Sequence, residues 1–270
     1  MKIPVPAHQL RVAVLGFGEA GGAFARDLVP AGADVRGFDP KVVAPEGVTQ
    51  RSGDADAVRD ADLVFNLTTG TEAESALRAA LPGLRPGTVW AEANTVSPAL
   101  KVRLAELVDE VGGDLVDVAI MAPVPGQGLR TPMAAAGPAA PLFVTMMSSL
   151  GVAIEPVPGP IGAASARKLL RSVVYKGLAA AVVEAMAGAA AAGCAEWFHE
   201  HLTTEFVKFD ADMIDRLISG TYTHAHRRTE EMTAAAQQLA DLGITPHIAS
   251  ATRDALQAIT TTHREGEQCP

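Results

Sequence analysis

The glycine-rich segment at residues 16–21 constrains the fold of this chain more than any other feature. It reads GFGEAG, and its Gly16, Gly18 and Gly21 form a G-x-G-x-x-G pattern directly after the apolar run LRVAVL. Such a run is typical of a buried parallel strand, and the residues after it predict a helix. At this junction the glycines permit a tight turn, approach of a pyrophosphate and close helix–strand packing. The segment therefore predicts a dinucleotide-binding Rossmann fold. The other loop residues predicted to lie beside the cofactor are Phe17, Glu19 and Ala20.

A second predicted strand, ADVRGFD, bears on the identity of the cofactor. It ends at Asp39, roughly 20 residues beyond the glycine loop, where dinucleotide-binding folds place the acid that binds the adenosine ribose. A carboxylate there accepts hydrogen bonds from the ribose hydroxyls of NAD and repels the 2′-phosphate of NADP. We therefore expect NAD, with Lys41 and Arg36 leaving NADP possible.

Strand and helix patterns continue to alternate through the first half, which predicts a doubly wound α/β sheet. Ligands of such sheets bind at the carboxyl ends of the strands. Thr68, Thr69 and Asn94 each follow an apolar run, so they are expected to line the cofactor cleft beside the loop at 123–128. Residues 126–140 are interpreted as a long Gly/Pro-rich loop, and PLFVTM at 141–146 as a further strand.

The second half has no strand pattern after the proline-rich segment 156–160. This predicts a dinucleotide-binding domain at residues 1–158 and an all-α domain at residues 159–270. The segment 162–192 predicts one long Ala-rich helix that is apolar over most of its circumference and therefore buried. Its polar residues share one face, because their offsets follow the helical period. They are Lys168, Arg171, Ser172 and Tyr175. This stripe is either a solvated edge or faces a partner or wet cavity.

Composition narrows the classes of partner. The net charge is −9, which argues against nucleic acid, since phosphate binding needs a basic surface. The N-terminus lacks the apolar core of a signal peptide, and the long helix carries Lys, Arg and Glu184, so a cytoplasmic protein without a membrane span is expected. The two cysteines, Cys194 and Cys269, suggest neither a disulfide framework nor a metal site.

Four blocks of the sequence resemble the β-hydroxyacid dehydrogenase and 6-phosphogluconate dehydrogenase superfamily. They are the glycine loop GFGEAGGAFARDL, the segment EANTVSP, the substrate loop DVAIMAPVPGQ and the helix start GPIGAASARKLL. The resemblance covers essentially the whole chain. It implies that Lys168 is the acid–base lysine and that Asn94 lies beside the nicotinamide. The substrate-loop residues that it implies are Val124, Pro125 and Gly126.

The departures from this family concern the substrate. Pro125 replaces a serine of the substrate loop, and Arg171 and Ser172 stand where the family has two asparagines. We expect Arg171 or the backbone of residues 126–128 to hold a substrate anion. Ser172 is expected to hold the reacting oxygen, and Tyr175 to be a second proton relay. The C-terminal block, GTYTHAHRRTEEMTAAAQQLADLGITP, resembles a subgroup whose helical domain has no known function.

The resulting prediction is an NAD(P)-dependent dehydrogenase that transfers a hydride between nicotinamide and a small hydroxy acid or its keto form. An imine reductase on the same scaffold, or a non-catalytic NAD(P)-binding protein, are the alternatives. We expect a homodimer formed through the helical domain. His226 and Arg227 are a candidate anion site, the alternative being an i,i+4 pair of Arg227 with Glu231. Trp197 is expected in the core.

Overall fold

The structure is a computed structural model that describes residues 9–264 and the side chains of residues 9–262. The N-terminal segment, Cys269 and most of the tail expected to fray lie outside the described residues. The chain divides into two compact units, Met1–Arg171 and Ser172–Pro270. The division between these units falls within the continuous helix Ala163–Ala191. The sequence predicts a domain boundary after residue 158, and that boundary stays a prediction.

Unit 1 is built on an eight-stranded sheet in the order β3-β2-β1-β4-β5-β6-β7-β8, which confirms the Rossmann-type α/β prediction. Neighbouring strands are parallel except β6 and β7. The strands are β1 (Arg11–Leu15), β2 (Asp34–Phe38), β3 (Thr49–Gln50), β4 (Leu63–Asn66), β5 (Val89–Glu92), β6 (Asp114–Ile120), β7 (Met133–Ala136) and β8 (Glu155–Pro156). The helices of this unit are α1 (Glu19–Leu28), α2 (Asp54–Val58), α3 (Ala73–Ala80), α4 (Pro98–Asp109), α5 (Ala140–Ser149) and the first turns of α6 (Ala163–Ala191).

The core lies on both faces of this sheet, as expected where helices cover both sides of parallel strands. On one face Phe24, Phe65 and Phe143 meet edge to face, with ring centroids 5.8 Å apart in each pair. On the other face Trp90 and Leu104 are fully buried. The strands that lead into the glycine loop and Asp39 are therefore packed on both faces of the sheet.

The segment 126–146 differs from its prediction. Residues Met133–Ala136 are strand β7, paired antiparallel with β6, and 141–146 lie in helix α5 instead of a strand. Pro141 stands in the first turn of α5, where its missing N–H breaks no hydrogen bond. Phe143 and Met147, four residues apart, are both buried, so the apolar run follows the helical period.

Unit 2 contains the rest of α6 with α7 (Ala195–Val207), α8 (Met213–Asp241) and α9 (His247–Arg264). Glu184 of α6 accepts hydrogen bonds from the Ile248 and Ala249 amides at the start of α9, each at 2.8 Å. Helix α8 is interrupted at His224, whose φ and ψ are −118° and 20°. Within this unit Gly188 packs close to Leu239. Gly188 of α6 thus serves close packing against α8 inside this unit.

The middle of α6 carries large apolar side chains that stay exposed in the part of the chain that the structure describes. Leu170, Val173, Val174 and Val183 are 62–71% exposed. The prediction that this helix is buried is therefore wrong for the single chain. Trp197 on α7, also expected in the core, is 62% exposed. By length and composition alone, α6 would be able to cross a membrane.

Candidate functional site

The glycine loop has the geometry of a phosphate cradle. Gly16 has a φ of +88°, which favours glycine, and a Cβ there would lie 2.6 Å from the Leu67 carbonyl oxygen. Gly18 precedes the first residue of α1, and a Cβ added to it would meet nothing within 4 Å. Gly21 faces the Gly16 carbonyl so closely that no side chain fits. The loop thus leaves open space in front of a helix N-terminus, where an anion is stabilised.

Asp39 closes the loop on the side of β2. Its Oδ2 accepts from the Phe17 amide at 2.7 Å, and its Oδ1 accepts from the Lys41 and Val42 amides at 2.7 and 2.9 Å. Burial alone would raise the pKa of Asp39, but these three backbone donors together hold that pKa below its ordinary value. A carboxylate has about four acceptor positions. One therefore remains on Oδ2 for a ribose hydroxyl.

A cleft of about 530 Å³ opens between the ends of β1, β2 and β4. It contains the predicted cofactor residues Gly16, Gly18, Asp39, Thr68 and Thr69, while Glu19 is exposed beside it. Phe17 and Ala20 instead turn their side chains to the core. Three further residues that line the cleft, Lys41, Asp54 and Glu72, are charged. With Asp39, the described lining therefore carries three acidic side chains and one basic side chain. Burial raises the pKa of Asp54.

Asn94 belongs to a closed ring of hydrogen-bonded side chains beside this cleft. Asn94 Nδ2 donates to Thr68 Oγ1 at 3.2 Å and to Glu92 Oε1 at 2.8 Å. Thr68 Oγ1 donates to Asn66 Oδ1 at 2.9 Å, and Asn66 Nδ2 donates to Glu92 Oε2 at 2.7 Å. The ring ties the carboxyl ends of β4 and β5 together. Glu92 is fully buried, which raises its pKa, although the neighbouring Lys101 and its hydrogen bonds oppose this.

A buried ion pair joins this region to the start of α6. Lys101 of α4 and Asp117 of β6 have no exposed side-chain surface, and Lys101 Nζ lies 3.2 Å from Asp117 Oδ1. Lys101 also donates to the Glu92 carbonyl oxygen. Asp117 in turn accepts from the Ser165 hydroxyl at 2.6 Å and from the Ser165 amide at 3.0 Å. These contacts fix the first turn of α6, one turn before Lys168.

The residues of the predicted catalytic stripe on α6 differ in how exposed their side chains are. Lys168 and Ser172, four residues apart, are half-buried, whereas Arg171 and Tyr175 are exposed. Each of these four residues takes part in an interaction within the chain. Lys168 and Arg171 belong to unit 1, with Ser172 and Tyr175 in unit 2.

The predicted substrate loop is only partly open to ligands. Val124 is buried in the core of unit 1, while Pro125 and Gly126 are exposed. Gly126 has a φ of +78°. The loop is held against α1, because Asp27 Oδ2 accepts from the Leu129 amide at 2.9 Å.

The candidate anion residues of α8 are paired on their own helix. Arg227 Nη1 lies 3.2 Å from Glu231, the i,i+4 alternative of the sequence analysis, and His226 Nδ1 lies 3.9 Å from Glu230. Both are exposed. Arg228, by contrast, donates to Thr221 Oγ1 at 2.6 Å and lines a groove between α8 and α9.

Comparison with known proteins agrees with this architecture. Residues 11–137 match the NAD binding domain of 6-phosphogluconate dehydrogenase, and residues 189–259 match a domain of unknown function, DUF1932. The chain is 30% identical to a conserved protein of unknown function whose solved structure is similar to 3-hydroxyacid dehydrogenases. The match covers 96% of this chain and 100% of that chain, with a TM-score of 0.59.

The chain belongs to the family of 6-phosphogluconate dehydrogenase-like NAD-binding proteins that carry a C-terminal DUF1932 domain.

Two further relatives bear on chemistry and fold. A Probable 3-hydroxyisobutyrate dehydrogenase of Mycobacterium bovis is 29% identical over 126 residues, 44% of this chain and 43% of that protein. The imine reductase of Myxococcus stipitatus, solved in complex with NADP+, is 20% identical over 95% of each chain with a TM-score of 0.76. At that identity the likeness shows the fold alone.

Sequence reasoning missed the buried polar residues of this site. Asn66, Glu92, Lys101, Asp117 and Ser165 are all at least nine-tenths buried. A signal existed for Lys101, which stands three residues before Leu104 on the apolar face of α4, where a solvated lysine would be out of place. No sequence pattern indicated that Asp117 and Ser165 meet.

Proposed function

We propose that this protein is a dehydrogenase that transfers a hydride between NAD and a small hydroxy acid or its keto form, with Lys168 as acid and base. The main support for the proposal is a buried anchor of α6, which consists of Lys101, Asp117 and Ser165. A Lys101–Asp117 pair holds Ser165, and with it the helix turn that leads to Lys168. Family membership supports a lysine at this position as the proton-transferring group.

The bound nicotinamide would supply or accept the hydride. The chain must hold the dinucleotide, orient the substrate and move a proton at the substrate oxygen. The glycine loop fits the pyrophosphate and Asp39 fits the ribose, by the geometry given above. Lys168 would donate the proton in reduction and accept it in oxidation, Ser172 would hold the same oxygen, and Tyr175 would be a second relay. Arg171 and the exposed backbone at Gly126 would hold the substrate anion.

NAD is favoured over NADP by the charge of the cleft. Asp39 stays ionised at neutral pH because its pKa is lowered, and Asp54 and Glu72 line the same cleft. A 2′-phosphate would meet these carboxylates, with Lys41 as the lining cation. This makes the ribose end of the cleft better suited to hydroxyl groups than to a phosphate.

We also propose that two copies associate through the helical unit, in a cytoplasmic protein. The exposed apolar side chains of α6 would be covered by a second copy, since large exposed apolar surfaces mark interaction sites. Glu184 is engaged with α9, and Lys176 interrupts the apolar surface, so burial against protein suits this helix better than lipid.

The test is a panel of hydroxy acids, keto acids and cyclic imines, followed at the nicotinamide absorbance with NAD and with NADP. Turnover of a hydroxy acid with NAD supports the proposal, and turnover of imines alone supports the imine reductase alternative. Lys168→Met is expected to lower kcat by about 10²–10⁴-fold, the usual contribution of a positioned acid–base group. NADH affinity should stay within a few-fold.

The matched control is Lys176→Met, which removes an exposed lysine two turns further along the same helix. Its kcat should equal that of the wild type. Full turnover by Lys168→Met would end the assignment of Lys168. Binding of NADH without turnover of any compound would favour a non-catalytic NAD-binding protein.

A further inference from the structure

Asp27 stands near the end of α1, where an acidic side chain is locally unfavourable. Carboxylates stabilise the first turn of a helix and destabilise the last turn, because the helix dipole is negative at its C-terminal end. Asp27 is the second-last residue of α1, and its side chain is half-buried. Residues that disagree with their local structure are concentrated at sites that serve function. The position of Asp27 therefore indicates a contact outside its own helix.

This contact is made with backbone that lies 102 residues further along the chain. Asp27 Oδ2 accepts a hydrogen bond from the Leu129 amide at 2.9 Å. Gly128 approaches the same carboxylate so closely that a Cβ added to it would lie 1.8 Å from Oδ2. Gly128 also has a φ of +53°, which favours glycine. The backbone at Gly128 and Leu129 therefore has room for the carboxylate of Asp27 only while residue 128 lacks a side chain.

The backbone that Asp27 binds belongs to a compact turn, residues 124–131. Val124 and Leu129 of this turn are buried in the core of unit 1. The Val124 carbonyl oxygen accepts from the Gly128 amide at 3.0 Å, which closes the turn. Gly126, between these buried residues, is exposed. The turn therefore presents exposed backbone on a buried base.

Helix α1 connects this turn to the cofactor cleft. It begins directly after Gly18 of the glycine loop, and its ten residues span about 15 Å. The expected pyrophosphate position lies at the first turn of the helix, and Asp27 lies in the last turn. The helix that would hold the dinucleotide therefore also holds the turn whose backbone at Gly126 is proposed to bind the substrate anion.

We propose that Asp27 is a positioning residue, which holds the turn 124–131 on α1 so that the Gly126 backbone is in place before the substrate anion binds. The inference rests on the proposed function, since it needs a substrate at this turn. A turn that is held in advance loses less conformational freedom when the substrate binds, so the substrate binds more tightly. Because Asp27 lies at the end of α1 away from the glycine loop, its loss should weaken substrate binding without slowing the chemical step.

The experiment measures the order of the turn and the binding of substrate in the same variants of the full chain. Hydrogen exchange of the Leu129 amide reports on the turn without any ligand. Kinetics with NAD and the best hydroxy acid of the panel, of which 3-hydroxypropanoate is the simplest member, give KM and kcat. Asp27→Ala should speed exchange at Leu129 and raise the KM of the hydroxy acid, each about tenfold, with kcat nearly unchanged. NADH affinity should stay within about twofold, because the glycine loop is intact.

Two further substitutions isolate the hydrogen bond. Asp27→Asn keeps an acceptor oxygen of the same reach, so its exchange rate and KM should stay within about twofold of the wild type. Gly128→Ala leaves Asp27 unchanged but places a methyl group where the carboxylate lies, so it should raise KM as Asp27→Ala does. In the double variant Asp27→Ala/Gly128→Ala the two effects should not add, because both remove one contact.

The matched control is Gly87→Ala, just before β5, where φ is +80° and a Cβ would meet nothing within 4 Å. It imposes the same kind of backbone strain away from the turn, and its KM should equal that of the wild type.

Unchanged exchange or unchanged KM in Asp27→Ala would overturn the positioning role of Asp27. So would fully additive effects in the double variant, or a loss of NADH affinity that matches the rise in KM. A wild type that binds no NADH and turns over no compound of the panel would instead overturn the proposed function. The exchange rates of Asp27→Ala and Asp27→Asn would then decide by themselves whether Asp27 holds the turn.

Discussion

The two units of this chain differ in where their charged and apolar side chains lie. In unit 1 the charged side chains of Glu92, Lys101 and Asp117 lie wholly inside, where Lys101 pairs with Asp117 and donates to the backbone carbonyl oxygen of Glu92. In unit 2 ion pairs such as Lys208–Glu205 lie at the surface, while apolar side chains of α6 and α7 are uncovered. Unit 1 therefore pairs Lys101 with Asp117 inside the fold and builds a candidate site around them. Unit 2 leaves apolar surface to be covered by something else, which we propose to be a second copy.

The largest expected effect is on turnover, in Lys168→Met, as described above. It tests whether Lys168, which follows the buried anchor on α6, serves chemistry. The next predictions test the anchor, the uncovered surface and the cleft in turn.

Lys101→Met should destabilise the protein by about 3–5 kcal/mol, because it leaves the carboxylate of Asp117 buried without its counter-ion. The measurement is the free energy of unfolding in urea. Lys208→Met is the counterpart in unit 2, where the pair is exposed, and it should leave the unfolding midpoint unchanged. Equal effects of the two substitutions would contradict the contrast between the units.

Val174→Glu should weaken self-association at least tenfold, about 1.4 kcal/mol, because it places an unpaired charge in the proposed interface. Sedimentation at several micromolar concentrations measures this. The same substitution at Val43, which is 83% exposed in unit 1, is the control and should leave the association constant unchanged. A wild type that is monomeric at these concentrations would exclude the proposed dimer.

Asp39→Asn should bring the affinities for NADH and NADPH closer together, with NADH binding about tenfold weaker. The substitution keeps the size of the side chain and removes the charge that a ribose hydroxyl would meet. Paired titrations with the two dinucleotides measure the ratio. Asp56→Asn, which removes a carboxylate bonded to Ser52 outside the cleft lining, should leave that ratio unaltered.

The smallest expected effect is on acid stability. Because the pKa of Asp39 is lower in the folded protein, its ionised form stabilises the fold above the unfolded pKa of about 4. This contribution disappears as the pH falls through the lower, folded pKa. The difference in Tm between the wild type and Asp39→Asn should be constant above about pH 5 and should shrink below pH 4. A difference that grows on acidification would reverse the assigned direction.

Features that depend on residues close together in the sequence could be predicted, whereas features that depend on residues far apart in the sequence could not. Local geometry was predictable: the glycine loop, Asp39 and the order of strands and helices follow from short patterns. The segment 126–146 was mispredicted because alanine-rich and apolar runs fit strand and helix alike.

The buried site could not be predicted because its contacts are distant in the chain. Asp117 and Ser165 are separated by 48 residues, and only the packed structure brings them together. Exposure was likewise misjudged at Trp197 and Val174, since an apolar pattern cannot distinguish a core from a surface that a partner covers. The contacts that position Lys168 and orient Asn94 became visible only in the structure.

The most direct test of the central claim is a calorimetric titration of the wild-type chain with NADH and with NADPH. We expect saturable binding of one NADH per chain, at least tenfold tighter than binding of NADPH. Such a result would show that the cleft formed by the glycine loop, Asp39 and Thr68 is a nicotinamide dinucleotide site. The absence of saturable binding of either dinucleotide would contradict the account.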